Sequence, residues 1–472
     1  MKGSVVSGAT ESRRSHDWVD DTLLRGADDE VCLWFDRPVD RATLRALVAE
    51  QERDFTAAGL LPGGTIALRL PPSLAFVVAL LAAWRLGAQV SLLDHRLTQH
   101  EVDRALDRVA AQFVVTPTDV RSNRLRGFAD VLGTSVTARP DGRPARTDHA
   151  LIQFSSGSTG ASKVIARTSA DLITELDRYA RLADYPTRGH RIVVLASMVH
   201  VLGLVGGLLH GLHAGVRLVF CERLTADGIL AAVAAEPEPT TILGVPFHAE
   251  LLTSVATRPD VPQLVRMIVA GELVRPGVPG RFTTMFDVPL GTMYGMTEMG
   301  VIATDLSGTL WPSVRPAHGI EAGVEGGELR IAMAESPYLG LSDPTRFADG
   351  WLHTRDAATM DPATGLITIL GRLDSQISVG GLKVDLTEVE QTMAALPEVT
   401  EVVVVYDGDI EAYLALAEGS TVDAVQAAVA TELAAFKRPR RTHVLDRLPR
   451  TATGKLVRNP AALREAADPA TT

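Results

Sequence analysis

The segment Ser155–Lys163 carries residue types that suit a phosphate-binding loop. Its nine positions read Ser-Ser-Gly-Ser-Thr-Gly-Ala-Ser-Lys, and they follow an apolar run over 150–154 that predicts a β-strand. Glycines let backbone N–H groups turn inward, hydroxyls add donors, and lysine adds a positive charge. The spacing does not fit the Walker A pattern, in which glycine directly precedes the lysine. Taken alone, the segment is consistent with a polyphosphate-binding loop or with a flexible Ser/Gly turn.

Three further segments place polar and charged side chains beside glycines. They are 294–298 (Tyr-Gly-Met-Thr-Glu), 349–356 together with 371–374, and 449–455, which ends in Thr-Gly-Lys. Each has an ordinary structural explanation when taken alone. Tyr294 would be a core tyrosine, Asp356 a turn aspartate, and Lys455 a solvated residue of a turn.

Lysine is unusually rare in this chain. Lys and Arg together number 46, but lysine occurs only at positions 2, 163, 383, 437 and 455. The lysine ammonium is a compact charge on a flexible side chain, whereas the arginine guanidinium is a planar group with several donors. Lys163 and Lys455 are therefore candidates for ammonium chemistry, and chance retention among only five lysines is the alternative.

Length and composition limit the class of protein. A chain of 472 residues predicts two or three domains, and 46% hydrophobic with 22% charged residues is typical of a soluble globular protein. A net charge of −11 argues against a nucleic-acid surface. Cys32 and Cys221 form no disulfide framework or metal-ligand pattern, and no secretory signal is visible, which together indicate a cytoplasmic setting. The apolar stretches 74–83 and 192–220 are short or interrupted, and they predict buried core segments.

Hydrophobic patterning predicts an α/β fold with two domains. In the N-terminal part, strands alternate with helices, as in parallel sheets covered by helices. The predicted strands cover 65–70, 112–115, 191–196, 216–220, 240–245 and 266–270. After about Gly326, short strands and turns predict a small β subdomain. We expect a domain boundary near 373, which separates a large domain (1–373) from a small mobile α+β domain (374–472).

The four segments, in this order, resemble the adenylate-forming superfamily of acyl-CoA synthetases, nonribosomal peptide adenylation domains and luciferases. The pattern can be followed from about Leu44 to Arg458 and is most similar to acyl- or aryl-CoA ligases. The resemblance implies that a carboxylate attacks the α-phosphate of ATP, which yields acyl-AMP and pyrophosphate. The acyl group then passes to a thiol. It further implies ATP and Mg²⁺, with CoA or the phosphopantetheine of a carrier protein as thiol acceptor, and it leaves a homodimer open.

The resemblance assigns roles position by position. Lys455 would offset charge on the reacting carboxylate and α-phosphate, Thr297 would bind the α-phosphate, and Glu298 would hold Mg²⁺. His200 completes the predicted catalytic set and would line the acyl channel, although a satisfied core histidine is the alternative. The predicted nucleotide-binding residues are Ser155, Ser156, Gly157, Ser158, Thr159, Gly160, Lys163, Gly271, Glu272, Tyr294, Asp356 and Arg372.

The second half-reaction is expected to involve the C-terminal domain. Asp374 matches the family's hinge, and rotation there would withdraw Lys455 and bring in Gly380 and Gly381. These two glycines would let the backbone approach a pantetheine arm closely, and a simple hairpin is the competing explanation. The chain departs from the family where Ser162 and Val164 flank Lys163, where Arg355 replaces the usual glycine, and where Ser378 replaces a lysine.

The acid is predicted from the segment 197–204. It contains no acidic residue to pair with an ammonium, which argues against an α-amino acid. The predicted acyl-pocket positions, all apolar, are Val201, Val245, Phe247, Ala270, Met293 and Met299. An aliphatic, alicyclic or aryl carboxylic acid is therefore expected.

Overall fold

The computed structural model describes residues 18–121, 127–155, 163–257, 259–274, 276–373, 375–449 and 456–467. Within these ranges, none of the helices combines the length and the apolar character needed to cross a bilayer.

The described strands follow one another in chain order. They are β1 (Val31–Trp34), β2 (Pro38–Asp40), β3 (Thr65–Leu68), β4 (Gln89–Leu92), β5 (Phe113–Arg121), β6 (Asp130–Ala138), β7 (Leu151–Ser155), β8 (Lys163–Arg167), β9 (Arg191–Val194), β10 (Arg217–Val219), β11 (Thr240–Gly244), β12 (Leu264–Ala270), β13 (Leu290–Met296), β14 (Gly300–Asp305), β15 (Ser313–Pro316), β16 (Ala322–Glu325), β17 (Glu328–Ala332), β18 (Phe347–Ala348), β19 (Trp351–Met360), β20 (Ile367–Arg372), β21 (Gln376–Val379), β22 (Leu382–Asp385), β23 (Val399–Tyr406), β24 (Ile410–Leu416) and β25 (Arg441–Val444).

The helices lie between the strands. They are α1 (Trp18–Thr22), α2 (Arg41–Ala57), α3 (Leu74–Arg85), α4 (Gln99–Val109), α5 (Ser169–Ala180), α6 (His210–Ala214), α7 (Ala226–Ala234), α8 (Pro246–Leu252), α9 (Val278–Phe286), α10 (Leu386–Ala394), α11 (Val422–Glu432) and α12 (Pro460–Ala467). A π-helix (Leu202–Leu209) leads into α6, and a 3₁₀ turn (Ala435–Lys437) follows α11.

Two sheets with parallel centres form most of the large domain. In one, the strand order is β6-β5-β3-β4-β7-β8, with antiparallel β6 and β8 at its edges. In the other, β1, β10, β9, β11, β12 and β13 run parallel. Helix α3 has buried residues along its whole length from Phe76 to Trp84, because it lies inside the main core rather than on a surface.

The antiparallel strands β14 to β20 continue the second sheet as a β subdomain, which begins at Gly300 rather than near Gly326 as expected. The C-terminal domain comprises the hairpin β21-β22, the sheet β23-β24-β25 and three helices. The α/β fold class is confirmed, with a large N-terminal and a small C-terminal domain. Position 374, the predicted hinge, lies outside the described residues. Domain rotation about this position therefore stays a prediction.

The six predicted strands are present, and their boundaries shift by no more than two residues, except that β5 ends at Arg121 rather than at the expected position 115. Helix α11 ends at Glu432, because Leu433 adopts an extended conformation (φ −120°, ψ 138°). The chain then forms the 3₁₀ turn that contains Lys437, which is buried. Strand β6 was not predicted, since its sequence mixes glycine with small polar residues and lacks a clear alternation.

Candidate active site

A large cavity lies at the carboxyl ends of the parallel strands β9, β11, β12 and β13, between the two domains. Its volume is about 1810 Å³. Such crevices beyond the carboxyl ends of strands are where open α/β sheets bind ligands. The β subdomain closes one side of the cavity and the β21-β22 hairpin closes another.

At one end of the cavity, Tyr294, Asp356 and Arg372 are joined by hydrogen bonds. The Tyr294 hydroxyl donates to Asp356 Oδ2 at 2.6 Å, and Arg372 Nη1 donates to Asp356 Oδ1 at 3.1 Å. Burial raises the pKa of Tyr294 well above its ordinary value, which keeps the phenol protonated as a donor. Burial also raises the pKa of Asp356, and the Arg372 guanidinium opposes that rise. These three residues, predicted for the nucleotide site, are therefore brought together.

At Arg355, the departure from the family pattern places a residue other than glycine in a backbone conformation that favours glycine. Arg355 has a φ of +61°, in the left-handed region that glycine adopts readily and that the family's usual glycine would occupy without strain. Its N–H donates to Glu328 Oε1 at 2.9 Å, and its Nε lies 3.8 Å from the same carboxylate oxygen. The Asp356 N–H donates in turn to Thr354 Oγ1 at 3.0 Å. This strained backbone within β19 holds the Asp356 carboxylate at the cavity wall.

The phosphate side of the site is described in part. Lys163 begins β8 and is buried, with its Nζ 5.9 Å from the centre of the Tyr338 ring. The Tyr338 hydroxyl donates to Glu298 Oε1 at 3.0 Å. Tyr338 thus connects Lys163 with Glu298, and sequence reasoning had missed it because no motif marks it. The candidate residues Ser156, Gly157, Ser158, Thr159, Gly160 and Lys455 lie outside the described residues, and Ser155 is described only as the last residue of β7.

Glu298 fits the predicted magnesium role. Its carboxylate is buried at the cavity wall beside Thr297, which also lines the cavity. Among the described residues, no cluster of three or more His, Cys, Asp or Glu side chains could hold a metal alone. Mg²⁺ is commonly held by one or two carboxylates together with substrate phosphates, so a single carboxylate in this place is sufficient.

His200 lines the cavity just before the π-helix. Burial lowers its pKa to about 4, and the nearby Asp94 carboxylate opposes this shift. Its Nε2 atom is buried and has no hydrogen-bond partner within the described part of the chain. A satisfied core histidine would have such a partner, so this geometry favours the ligand-facing alternative.

The apolar wall of the cavity is formed largely as expected. Val201, Val245, Ala270 and Met293 all line it. Phe247 does not, because it is 55% exposed on α8, whereas the adjacent His248 faces the cavity and accepts the Val245 N–H at 3.1 Å.

Met299 also lies outside this wall. It packs with the core of the β subdomain, next to Tyr294 and Met296. Neither Phe247 nor Met299 is therefore a pocket residue in this structure, and His248 is one that sequence reasoning missed.

The hairpin β21-β22 reaches into the cavity from the C-terminal domain. Its two-residue turn is Gly380-Gly381, with φ values of 56° and 82°, the combination that tight hairpins require. The Gly381 N–H and the Ser378 hydroxyl donate to Glu272 Oε1 at 2.5 and 2.9 Å. The two glycines thus form a hairpin turn, which was the competing explanation, and they also line the cavity; their approach to a pantetheine arm stays a prediction.

Gly271 and Glu272, which the sequence assigned to the nucleotide, contact the C-terminal domain in this structure. Lys383 Nζ donates to the Gly271 carbonyl at 2.6 Å, in addition to the two hydrogen bonds that Glu272 accepts. A Cβ atom at Gly381 would lie only 2.6 Å from Val245 Cγ1. Any side chain at position 381 would therefore disturb the contact between the hairpin and the large domain.

A smaller cavity of about 150 Å³ adjoins the larger one. Residues that line both cavities are His200, Thr297, Leu382 and Lys383. The smaller cavity lies between α4 of the large domain and the C-terminal domain, and the sequence offered no signal for it. It provides a second approach to the region around Thr297.

The comparison with protein families defines the class. Residues 44–328 match the sequence model described as AMP-binding enzyme, and residues 388–455 match AMP-binding enzyme C-terminal domain. The first match covers more than half of the chain. The chain therefore belongs to the AMP-binding enzyme family of adenylate-forming ligases.

Particular relatives include two proteins named for benzoic acids. The chain is 28% identical to the p-hydroxybenzoic acid–AMP ligase FadD22 of Mycobacterium tuberculosis, over 92% of this chain and 67% of that protein. It is 27% identical to a 4-chlorobenzoate–CoA ligase of Arthrobacter, over 87% of each. Among solved structures, a double mutant of o-succinylbenzoate CoA synthetase from Bacillus subtilis aligns with a TM-score of 0.79 and 23% identity, covering 95% of this chain and 98% of that one.

Proposed function

We propose that this enzyme activates an apolar carboxylic acid with ATP, releases pyrophosphate and transfers the acyl group to the thiol of CoA. The observation that carries the proposal is one continuous cavity that joins three kinds of surface. Asp356 and Arg372 would bind the ribose hydroxyls, Thr297 and Glu298 would lie near the phosphates, and apolar residues around Met293 would contact the acyl group. An acyl adenylate has these three parts in this order.

The first half-reaction forms one bond and breaks one. A carboxylate oxygen of the acid attacks the α-phosphorus, and pyrophosphate leaves with the bonding electrons of the α–β bridge. The Asp356 carboxylate, held by Tyr294 and Arg372, would accept the ribose hydroxyls and orient the nucleotide. Lys163 would bind the leaving phosphates, and Lys455 would neutralise charge at the reacting centre. Glu298 would hold Mg²⁺, a cation that offsets phosphate charge.

In the second half-reaction the thiol sulfur attacks the acyl carbonyl carbon and AMP leaves. The smaller cavity would admit the thiol arm, since it reaches His200 and Thr297 beside the larger cavity. The Gly380-Gly381 turn lines the larger cavity, which the thiol arm would enter, and it carries no side chains that would obstruct the arm there. We propose that the C-terminal domain is oriented for this step in the structure, and that it rotates for adenylation.

The acid is proposed to be an aryl acid or another acid of mainly apolar character. Val201, Ala270 and Met293 are apolar residues of the cavity wall, and His248, which accepts the Val245 N–H, is a polar residue of the same wall. Burial lowers the pKa of His248 to about 4, so it is neutral near pH 7 and offers no charge to a substrate. Relatives named for benzoic acids support an aryl substrate.

A pyrophosphate-release screen over carboxylic acids, with and without CoA, tests the proposal. We expect acid-dependent pyrophosphate release for aryl and other apolar acids, none for α-amino acids, and an acyl-CoA product by mass spectrometry when CoA is present. Pyrophosphate release that no acid stimulates would overturn the proposal.

A second candidate uses a carrier protein in place of CoA. It is favoured by the likeness to FadD22, a relative named as an acid–AMP ligase rather than a CoA ligase. The discriminating experiment offers CoA and a phosphopantetheinylated carrier protein separately to enzyme that holds preformed acyl-AMP. Thioester on the carrier but not on CoA would select this candidate.

A further inference from the structure

Lys437 joins the two domains through a buried ion cluster. Its Nζ lies 2.8 Å from Glu101 Oε1, on α4 of the large domain, and 3.1 Å from Glu388 Oε1, on α10 of its own domain. The three side chains are 9%, 6% and 5% exposed. The 3₁₀ turn after α11 places the lysine between the two carboxylates.

The charges in this cluster depend on one another. Burial alone would lower the pKa of Lys437, but Glu388 and Glu101 more than offset that effect and hold the pKa above its ordinary value. Without the ammonium, two buried carboxylates would face each other, which is far more costly than the loss of an exposed ion pair. The cluster is therefore complete only when α4 and α10 face each other as they do here.

The position of the cluster connects it to the site. Glu101, Glu388 and Lys437 all line the smaller cavity, whose inner end reaches His200 and Thr297. The same orientation of the C-terminal domain places the Gly381 N–H on Glu272. The ion cluster and the hairpin contact thus belong to one arrangement of the two domains.

We propose that Lys437 is a positioning residue for thiol transfer, because its bridge from Glu388 to Glu101 holds the C-terminal domain in the orientation that presents the hairpin to the cavity. This inference rests on the proposed function, in which the two half-reactions use different domain orientations. An ion bridge that forms in only one domain orientation shifts the equilibrium between the two orientations by the free energy that the bridge contributes to that one.

Glu101→Gln is the sharpest variant, because it removes the charge and the acceptor that faces Lys437 at almost unchanged side-chain size. Glu101 Oε2 also accepts hydrogen bonds from the Thr98 N–H and hydroxyl at 3.0 and 3.1 Å, which form the capping box of α4. Glutamine is equally suited to that position of a capping box. Lys437→Met removes the other partner.

A matched control is His100→Gln, since His100 Nε2 lies 3.1 Å from Glu432 Oε2 across the same domain interface but in an exposed pair.

Two rates are measured for each variant. One is acid-dependent ATP–pyrophosphate exchange, and the other is single-turnover thioester formation from preformed acyl-AMP. We expect Glu101→Gln and Lys437→Met to slow thioester formation by about tenfold or more, with exchange unchanged or faster, and His100→Gln to change neither rate by more than about twofold. The double variant should be no slower than the slower single variant, because the two residues act through one bridge.

Equal losses in both half-reactions, or unchanged thioester formation in Glu101→Gln, would overturn the positioning role. If Lys437→Met fails to fold, Glu101→Gln decides the outcome alone. Absence of acid-dependent exchange in the unaltered enzyme would instead contradict the proposed function, so the two failures are distinguishable.

Discussion

The hydroxyl of Tyr294 donates a 2.6 Å hydrogen bond to the carboxylate of Asp356. Tyr294 lies in the last parallel strand of the second sheet, β13, and Asp356 lies in β19 of the β subdomain. The bond therefore joins the two parts of the large domain at the cavity wall. It also orients the one carboxylate that the nucleotide would need for its ribose.

Asp356→Asn should lower adenylation by about a hundredfold through misplacement of the nucleotide, since amide nitrogen cannot accept a hydrogen bond from the ribose. The measurement is acid-dependent pyrophosphate exchange over a range of ATP concentrations. Tyr294→Phe keeps the ring and removes only the bond to Asp356, so a smaller loss is expected. A larger loss in Tyr294→Phe than in Asp356→Asn would contradict this assignment.

Gly381→Ala should slow thioester formation more than adenylation. The new Cβ would lie 2.6 Å from Val245 Cγ1, and the φ of 82° is strained for any other residue. Both rates are measured in single turnover. Gly419→Ala is the control, because Gly419 has a φ of 78° and nothing within 4 Å of a built Cβ. Similar effects of both variants on thioester formation would show that strain, rather than the contact, is responsible.

Arg355→Gly should be more stable than Arg355→Ala by about 1 kcal/mol. Neither variant retains the guanidinium, so the difference isolates the cost of the left-handed backbone at φ +61°. Denaturant unfolding of both variants, with midpoints compared at the same m-value, would measure this difference in the free energy of unfolding. Equal midpoints would show that the backbone at Arg355 carries no such strain.

Stability should fall as the pH falls from about 6.5 towards 4. Burial lowers the pKa values of His200, His210 and His248 to about 4, from an ordinary value of 6.5. Between these values the unfolded chain binds more protons than the folded protein, so the free energy of unfolding decreases with acidity. Urea unfolding at several pH values measures the slope. His210→Gln should make it shallower, and an unchanged slope would argue against a neutral buried His210.

Lys455→Ala should abolish acid-dependent pyrophosphate exchange while the fold is retained. The expected cause is loss of the positive charge at the reacting carboxylate and α-phosphate. Thioester formation from preformed acyl-AMP should be much less affected, because that step would not use this lysine. Exchange at the unaltered rate would remove Lys455 from the proposed catalytic set.

Much of the fold could be predicted from the chain because its elements follow local rules. Strands β9, β11 and β12 each contain a buried apolar run (192–194, 242–243 and 267–270), as expected of strands covered on both faces, and helices lie between them. Boundaries were less certain where local signals were weak. The end of α11 is an example, since no glycine or proline marks the residue at which the chain becomes extended.

The site could be predicted only where chemistry requires a particular side chain in a motif. Tyr294, Asp356 and Arg372 were expected for this reason, and they do meet. Tyr338 and His248 were not expected, because a residue that only needs to fill a position beside the site leaves no pattern in the sequence. Their roles come from packing between segments that are distant in the chain.

The sequence by itself determined the class of enzyme, since the phosphate, ribose and lysine motifs are local and ordered along the chain. Only the tertiary structure decided which surface each residue meets. Glu272, expected to contact the nucleotide, lines the cavity and also accepts hydrogen bonds from Ser378 and Gly381 of the C-terminal domain. Lys437 had no assigned role, and it lies between carboxylates of two domains. The physical reason is that contacts between domains depend on their relative orientation, which no local sequence pattern encodes.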